Sequence, residues 1–300
     1  MADLNANEVL ATLRVVLPDA VVHDLIIVGS LAAAAQLLDE QDVELRTKDI
    51  DGMLAPNARV IAAGQELATS LLKQGWVPNV DQKKYAHPAN ANTPNDKLPV
   101  VRLMPPGINK EKWFLELLGA PPSLAPNHKG EVRYSDRVVT PESHFEIPSF
   151  AYLGVAQHLP VLHATGLWLA RVEMMALSNL LHHPVIGPQR MGEPIAGQLI
   201  KRSNKDLGRV VAMAYLRAQQ DDEAVATWPD AWRAALQELA APEETIDKLQ
   251  DINSGIYQMR DSELDTDEAL HAINHGLLSS RPLTRRQLQI AIDRYLLDTD

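Results

Sequence analysis

Two aspartates, Asp49 and Asp51, are separated by one isoleucine in the segment RTKDIDGML, which ends in apolar residues. The string KDIDGMLA is typical of a strand. Side chains alternate between the two faces of a strand, so both carboxylates are predicted to share one face while Ile50 points into the core. Two neighbouring carboxylates repel each other and are costly to bury. Mg²⁺ removes both penalties, because it prefers oxygen ligands and often binds one or two carboxylates together with substrate phosphates.

Gly29 and Ser30 lie between a short β-type run, DLIIV, and the helix-forming segment SLAAAAQLLDEQ. A glycine lets a phosphate approach the backbone, and the first turn of a helix offers free N–H groups and the positive end of its dipole. A tight turn followed by a helix cap accounts for the same two residues. An anion cradle at this position would lie next to the paired aspartates, because the following strand carries them.

Glu116 is a lone acid among large apolar residues in the string WFLELL. A solvent-facing position on an edge strand is one explanation for it. The other is a third carboxylate ligand, which would complete a two-metal site for phosphoryl transfer.

The combined string VGS…RTKDIDGML resembles the Gly-Ser (or Gly-Gly) and D-x-D signature of the DNA polymerase β-like nucleotidyltransferase superfamily. RTKDID, residues 46–51, is most similar to the AbiEii family of abortive-infection toxins. Relatives in that group carry a KDL helix in a C-terminal helical region, and KRSNKDLGRVVAMAYL, residues 201–216, resembles it. The resemblance covers about residues 25–216, and short strings carry it.

This resemblance implies a magnesium-dependent transfer of a nucleoside monophosphate from an NTP to a hydroxyl group. Asp49, Asp51 and Glu116 would hold two Mg²⁺ ions, and Gly29 and Ser30 would bind the triphosphate. It also implies a toxin that modifies RNA, tRNA ends included, and that is paired with an antitoxin protein.

The chain departs from this pattern at one position. Relatives often carry a lysine that faces the nucleotide phosphates in the first C-terminal helix, where this sequence has Asn179. Arg171 and Lys205 are the candidates to replace it, and Lys205 lies in the densest basic segment, KRSNKDLGR. Lys48 is expected to point away from the site, on the side of Ile50.

Two alternatives to the RNA-modifying enzyme stay open. The first is a degenerate member of the superfamily that binds a nucleotide or a partner protein without turnover. The second is a transferase whose hydroxyl acceptor is a small molecule or a protein.

The elements that position these residues fall into two halves. Strand-like and helical segments alternate up to about residue 160, and helical periodicity dominates afterwards. We therefore predict an α/β (α+β) nucleotidyltransferase core with a mixed sheet over residues 1–160, and an all-helical domain over residues 161–300.

Composition restricts the setting of the protein. The sequence has no cysteine, so disulfides and thiolate chemistry are excluded. The net charge is −11, so binding of RNA or a nucleotide would need a local basic patch. No apolar run approaches the length of about 20 residues that a membrane-spanning helix needs, and no signal peptide is recognisable. We expect a cytoplasmic protein without a membrane partner.

Overall fold

A computed structural model describes residues 3–38, 44–107, 113–125, 133–187 and 200–296. The first half combines strands and helices, as predicted from the sequence. Its elements are β1 (Asp3–Asn5), α1 (Ala6–Val16), α2 (Asp19–Val22), β2 (Leu25–Val28), α3 (Gly29–Leu37), β3 (Glu44–Arg46), β4 (Asp49–Leu54), α4 (Val60–Lys73), β5 (Val77–Pro78), β6 (Arg102–Met104), β7 (Phe114–Gly119), β8 (Arg133–Val139), β9 (His144–Phe150), β10 (Val161–Leu162) and β11 (Trp168–Leu169).

The second half is helical, again as predicted. Its helices are α5 (Val172–His182), α6 (Arg202–Gln220), α7 (Trp228–Glu238), α8 (Glu243–Asp247), α9 (Ser254–Asp261), α10 (Glu263–Asn274) and α11 (Arg285–Tyr295). The first of these helices begins at Val172, whereas helical periodicity in the sequence was expected to dominate from about residue 160. The difference arises because Trp168 and Leu169, which the sequence pattern placed in a helix, pair in parallel with β2 and so extend the sheet.

A mixed sheet organises the first half. The order of its main path is β10-β11-β2-β4-β7-β6-β5, and β9 connects β8 to β7. The central strand β4 runs antiparallel to β2 and parallel to β7. β1 and β3 form a separate two-stranded antiparallel ladder. The strand that carries the paired aspartates is therefore held on both edges by hydrogen-bonded neighbours.

The short helix α3 connects the sheet to the helical half. Ala32, Ala33 and Ala34 are buried in it, and such small side chains let neighbouring elements approach closely. α3 contacts α1, β2 and β4 in the first half and α5 and α6 in the second. Buried apolar residues of both halves form one hydrophobic cluster. None of the helices formed by the described residues combines the length and apolar composition required to span a bilayer.

Candidate active site

β4 presents the two aspartates on one face of the sheet. Asp49 and Asp51 are half-buried, while Ile50 between them has no exposed surface. This is the alternation expected from the sequence. In the parallel ladder between β4 and β7, Asp51 is the direct partner of Glu116. Register partners point to the same face, so the structure brings all three acids together.

Gly29 lies against this acidic cluster at the start of α3. Its φ of +72° falls in the left-handed region, and a Cβ atom built on it would be 2.8 Å from Asp51 Oδ2. No side chain caps the N-terminus of α3. Glycine is required here for the backbone conformation and for the close approach of Asp51. The open helix N-terminus with Ser30 therefore lies beside the carboxylates.

The acids and the start of α3 line one cavity of about 700 Å³, a size typical of sites for nucleotides and other small ligands. Its wall is rich in cations, although the protein as a whole is acidic. The described basic residues that line it are Lys84, Arg102, Arg133, Arg202, Lys205 and Arg209, and the acidic ones are Asp49, Asp51, Glu116 and Asp206.

α6 brings two of these cations across the cavity from the aspartates. Lys205 and Arg209 lie one helical turn apart and are half-buried. Burial alone would raise the pKa of Asp49, but Arg209, a hydrogen bond from the Thr47 hydroxyl (2.9 Å) and Lys205 outweigh it, so the pKa is lowered. Arg209 and burial lower the pKa of Lys205 in turn. Asp49 is thus held ionised opposite a pair of cations.

For Asp51, the effects that raise the pKa outweigh those that lower it. Its burial, followed by the charges of Asp49 and Glu116, raises its pKa to about 7, and Arg209 and Lys205 offset only part of this. The raised pKa of Asp51 indicates an excess of negative charge around its carboxylate. A bound cation would relieve that excess.

Arg102 on β6 holds Glu116. The guanidinium donates from Nε to Glu116 Oε2 (2.7 Å) and from Nη2 to Oε1 (3.2 Å), and the two residues are register partners between β6 and β7. The Glu116 side chain is 12% exposed and that of Arg102 is 42% exposed. Glu116 is therefore a charge-neutralised acid in this structure rather than a free ligand.

The fit of these residues to Mg²⁺ is partial. Asp49 and Asp51 supply two carboxylates on the same face, and the excess of negative charge around Asp51 suits a hard cation. Yet in the described ranges no group of three or more His, Cys, Asp or Glu side chains is arranged to hold a metal ion. A third carboxylate ligand would require Glu116 to exchange Arg102 for the metal.

The two candidate replacements for the missing lysine differ in position. Asn179 of α5 lines the cavity, as does Lys205. Arg171 is not among the residues that line it; its guanidinium forms an ion pair with Glu173 (2.5 Å). The structure therefore places Lys205, and not Arg171, opposite the aspartates.

Apolar side chains and one buried histidine also line the cavity. Phe150, Leu153 and Met175 are among its lining residues. His182 Nδ1 donates to the Ser178 carbonyl (2.8 Å), and burial lowers the pKa of its ring to about 4, which keeps the ring neutral. These apolar side chains offer surface against which a planar ring can pack.

Arg102 was not identified from the sequence, whereas Arg209 is the last residue of the basic segment KRSNKDLGR, for which phosphate binding and a solvated face were both open. The sequence signal for Arg102 was its position as a lone charge in a predicted strand next to the one that carries Glu116. Arg209 follows Lys205 by four residues and so lies on the same helical face.

Comparisons with models of protein families, with curated proteins and with solved structures found no match for this chain.

Proposed function

We propose that this protein is a Mg²⁺-dependent nucleotidyltransferase of the DNA polymerase β-like type, which transfers a nucleoside monophosphate from an NTP to a hydroxyl acceptor. One observation carries the proposal. Asp49, Asp51 and Glu116 share one face of two adjacent strands, and these acids line one cavity together with the open N-terminus of α3 and the cations of α6.

In this proposal Asp49 and Asp51 would hold the metal, and Glu116, once free of Arg102, would be the third acid of a two-ion site. When bound, Mg²⁺ neutralises phosphate charge and orients the phosphates. The N–H groups at the start of α3, with Ser30, bind phosphate oxygens. Lys205 and Arg209 supply the remaining positive charge from the opposite wall. The apolar lining residues, Phe150 among them, pack against the base.

The transfer balances as follows. The acceptor hydroxyl oxygen forms a bond to the α-phosphorus, and the bond from that phosphorus to the oxygen bridging to the β-phosphate breaks. Pyrophosphate leaves with the electron pair of that bond. The hydroxyl proton passes to a carboxylate oxygen of Glu116, which Arg102 must free. Positioning and charge neutralisation supply most of the rate enhancement.

RNA is the acceptor that we propose. Six cations line the cavity of a chain with net charge −11, and phosphate backbones are bound mainly through such local positive charge. The strings RTKDID and KRSNKDL extend the proposal to a toxin that modifies RNA, tRNA ends included, and is neutralised by an antitoxin protein.

A second candidate function is nucleotide binding without turnover. Both Glu116 oxygens are engaged by Arg102, and Asn179 occupies the cavity wall. A protein in which Arg102 never releases Glu116 would keep the cavity and lose the third acid.

Incubation of the protein with each labelled NTP, Mg²⁺ and total RNA tests the proposal. The parent should label RNA, and Asp49→Asn should reduce labelling on the order of 100-fold or more. Asp136→Asn is the matched control, because Asp136 lies on β8 and is not among the residues lining the cavity. NTP binding without labelling of RNA, or of protein and small molecules in a parallel incubation with cell extract, would favour the second candidate.

A further inference from the structure

Two histidines lie together at the C-terminal end of α10. His271 is in the last turn of the helix, and His275 directly follows its last residue. Residues four apart lie on one face of a helix, and two histidines at this spacing are the helical element of metalloprotease zinc sites. Both residues are exposed, and their ring centroids are 4.0 Å apart with an angle of 30° between the planes. The two rings are therefore close enough to share one ligand.

The hydrogen bonding of the pair leaves ring nitrogens free to bind a metal ion. His275 Nδ1 donates to the His271 carbonyl (2.8 Å). Because a carbonyl oxygen only accepts hydrogen bonds, the proton lies on Nδ1, and Nε2 of His275 keeps its lone pair. Histidines that bind metals almost always donate their other ring N–H in this manner. No hydrogen bond or ion pair engages the His271 ring within the described ranges.

α10 holds the pair on a fixed support. Asn204 of α6 donates from Nδ2 to Asp265 Oδ1 (2.7 Å) and to Glu268 Oε2 (2.8 Å). Ala269 and Ile273, on the inner side of α10, are buried. Side chains on a helix that is fixed in this way lose less freedom when they bind a ligand. The partial negative charge at the C-terminal end of a helix also favours a cation there.

The two histidines line a second, smaller cavity of about 290 Å³. Lys48, Asp49, Lys205 and Arg209 also line it, whereas neither histidine is among the residues that line the larger cavity. Lys48 was expected to point away from the site, on the side of Ile50, but it precedes β4 and lines this cavity with Asp49. The histidine pair is therefore separate from the carboxylates of the larger cavity.

The charges around the smaller cavity restrict the kind of cation that it can bind. Three cationic side chains line it together with one carboxylate, that of Asp49. Mg²⁺ and Ca²⁺ depend on oxygen ligands, carboxylates above all, so this lining disfavours them. Neutral imidazole binds Zn²⁺, Ni²⁺ and Cu²⁺ through a nitrogen lone pair and requires no anionic ligand. A divalent transition metal is therefore the cation that this lining suits.

We propose that His271 and His275 bind one divalent transition metal ion, through one ring nitrogen each. Two protein ligands leave coordination positions open, and water or an anionic oxygen completes the shell. Lys48, Lys205 and Arg209 favour an anion at those positions, because they supply positive charge to the same cavity. This site goes beyond the proposed transferase, since it uses neither the Mg²⁺ carboxylates of the larger cavity nor an NTP.

The test is isothermal titration of Zn²⁺ into the parent, His271→Ala and His275→Ala, in an excess of Mg²⁺ that keeps Zn²⁺ from the paired aspartates. His23→Ala is the matched control, because His23 is exposed and lines neither cavity. Asp51→Asn is a second control, because Asp51 lines the larger cavity and not the smaller one. Electron paramagnetic resonance of the Cu²⁺-loaded protein counts the nitrogen ligands directly.

We expect the parent to bind Zn²⁺ at a single site in the presence of Mg²⁺. Loss of either ring should weaken this binding on the order of 10-fold or more, whereas His23→Ala and Asp51→Asn should stay within twofold of the parent. The Cu²⁺ spectrum should show hyperfine splitting from the nitrogens of both rings. Azide, a small anion, should change that spectrum, because open coordination positions remain. Zn²⁺ should also raise the melting temperature of the parent but not that of the two α10 variants.

Zn²⁺ affinities of His271→Ala and His275→Ala equal to that of His23→Ala would overturn the inference, because they would show adventitious binding elsewhere on the surface. Nitrogen hyperfine splitting from fewer than both rings would also overturn it. Thermal melting without metal checks that each variant is folded. Labelling of RNA with Mg²⁺ and NTP tests the transferase independently. A parent that labels RNA while its α10 variants still bind Zn²⁺ normally would retain the transferase and remove the histidine site.

Discussion

At the scale of single residues, Gly29 is the position where backbone conformation and site chemistry coincide. An alanine there would have to adopt a φ of +72° and place its Cβ 2.8 Å from Asp51 Oδ2. The left-handed conformation alone costs about 1–2 kcal/mol for a residue other than glycine. The collision adds to that cost and displaces the carboxylate.

We predict that Gly29→Ala destabilises the fold more than Gly75→Ala does and also abolishes NTP transfer. Gly75 is the matched control, because its φ is +86° and a Cβ there would only meet Pro106 Cβ at 3.8 Å. Denaturant unfolding measures both variants. In an Asp51→Ala background the extra cost at Gly29 should disappear, since Asp51 Cβ is 3.8 Å from the built Cβ. Equal costs for the two glycines in the parent background would show that the contact with Asp51 is not strained.

At the scale of elements, helix α6 supplies the positive charge that acts on the two aspartates. The helix carries Lys205 and Arg209 on one face, and both act on the pKa values of Asp49 and Asp51. Arg171, at the start of α5, is instead paired with Glu173. The contact between α3 and α6 keeps this face against the sheet.

We predict that Lys205→Ala weakens NTP binding about 10- to 100-fold, because a charge-assisted hydrogen bond to phosphate contributes about 1.5–3 kcal/mol. Arg171→Ala should leave NTP affinity within twofold of the parent. Titration with a fluorescent NTP analogue measures both, and thermal melting checks that each variant is folded. A larger loss for Arg171→Ala than for Lys205→Ala would contradict this assignment of the phosphate-binding face.

At the scale of the whole molecule, a buried carboxyl group and two buried imidazole groups both affect how the stability of the fold changes with pH. Burial and the charges of Asp49 and Glu116 raise the pKa of Asp51 to about 7. Burial lowers the pKa values of His182 and His183 to about 4. Unfolded chains have values of about 3.9 for Asp and 6.5 for His.

The two kinds of group therefore act in opposite directions on acidification. As the pH falls from about 7 to 4, the folded protein gains a proton at Asp51 that the unfolded chain lacks, which stabilises the fold. Between about 6.5 and 4 the unfolded chain gains protons at His182 and His183 that the fold lacks, which destabilises it. Each group contributes about 1.4 kcal/mol per pH unit inside its window.

We predict that Asp51→Asn is more stable than the parent at pH 8 in metal-free buffer, and that the two stabilities converge as the pH falls to 4. The variant lacks the cost of an ionised Asp51 at high pH and lacks its protonation at low pH. Urea unfolding at a series of pH values measures this, with Asp81→Asn on an exposed loop as the control. A profile for Asp51→Asn that runs parallel to the parent's would contradict the raised pKa of Asp51.

The sequence by itself determined the features that depend on local backbone geometry. The alternation of Asp49, Ile50 and Asp51 follows from the period of a strand, and the glycine at the start of α3 follows from the turn between a strand and a helix. The mixed α/β first half and the helical second half were likewise predictable from periodicity.

Only the tertiary structure decided how these local features meet. Three features depend on contacts between residues distant in the chain. They are the register that puts Glu116 beside Asp51, the pairing of Arg102 with Glu116, and the orientation of the α6 face that carries Lys205. The strand pairing of Trp168 and Leu169 has the same origin, since an edge of β2 had to be covered and local propensity was overridden. Strand period is a property of each residue's backbone, whereas register and docking are selected by the burial of the whole core.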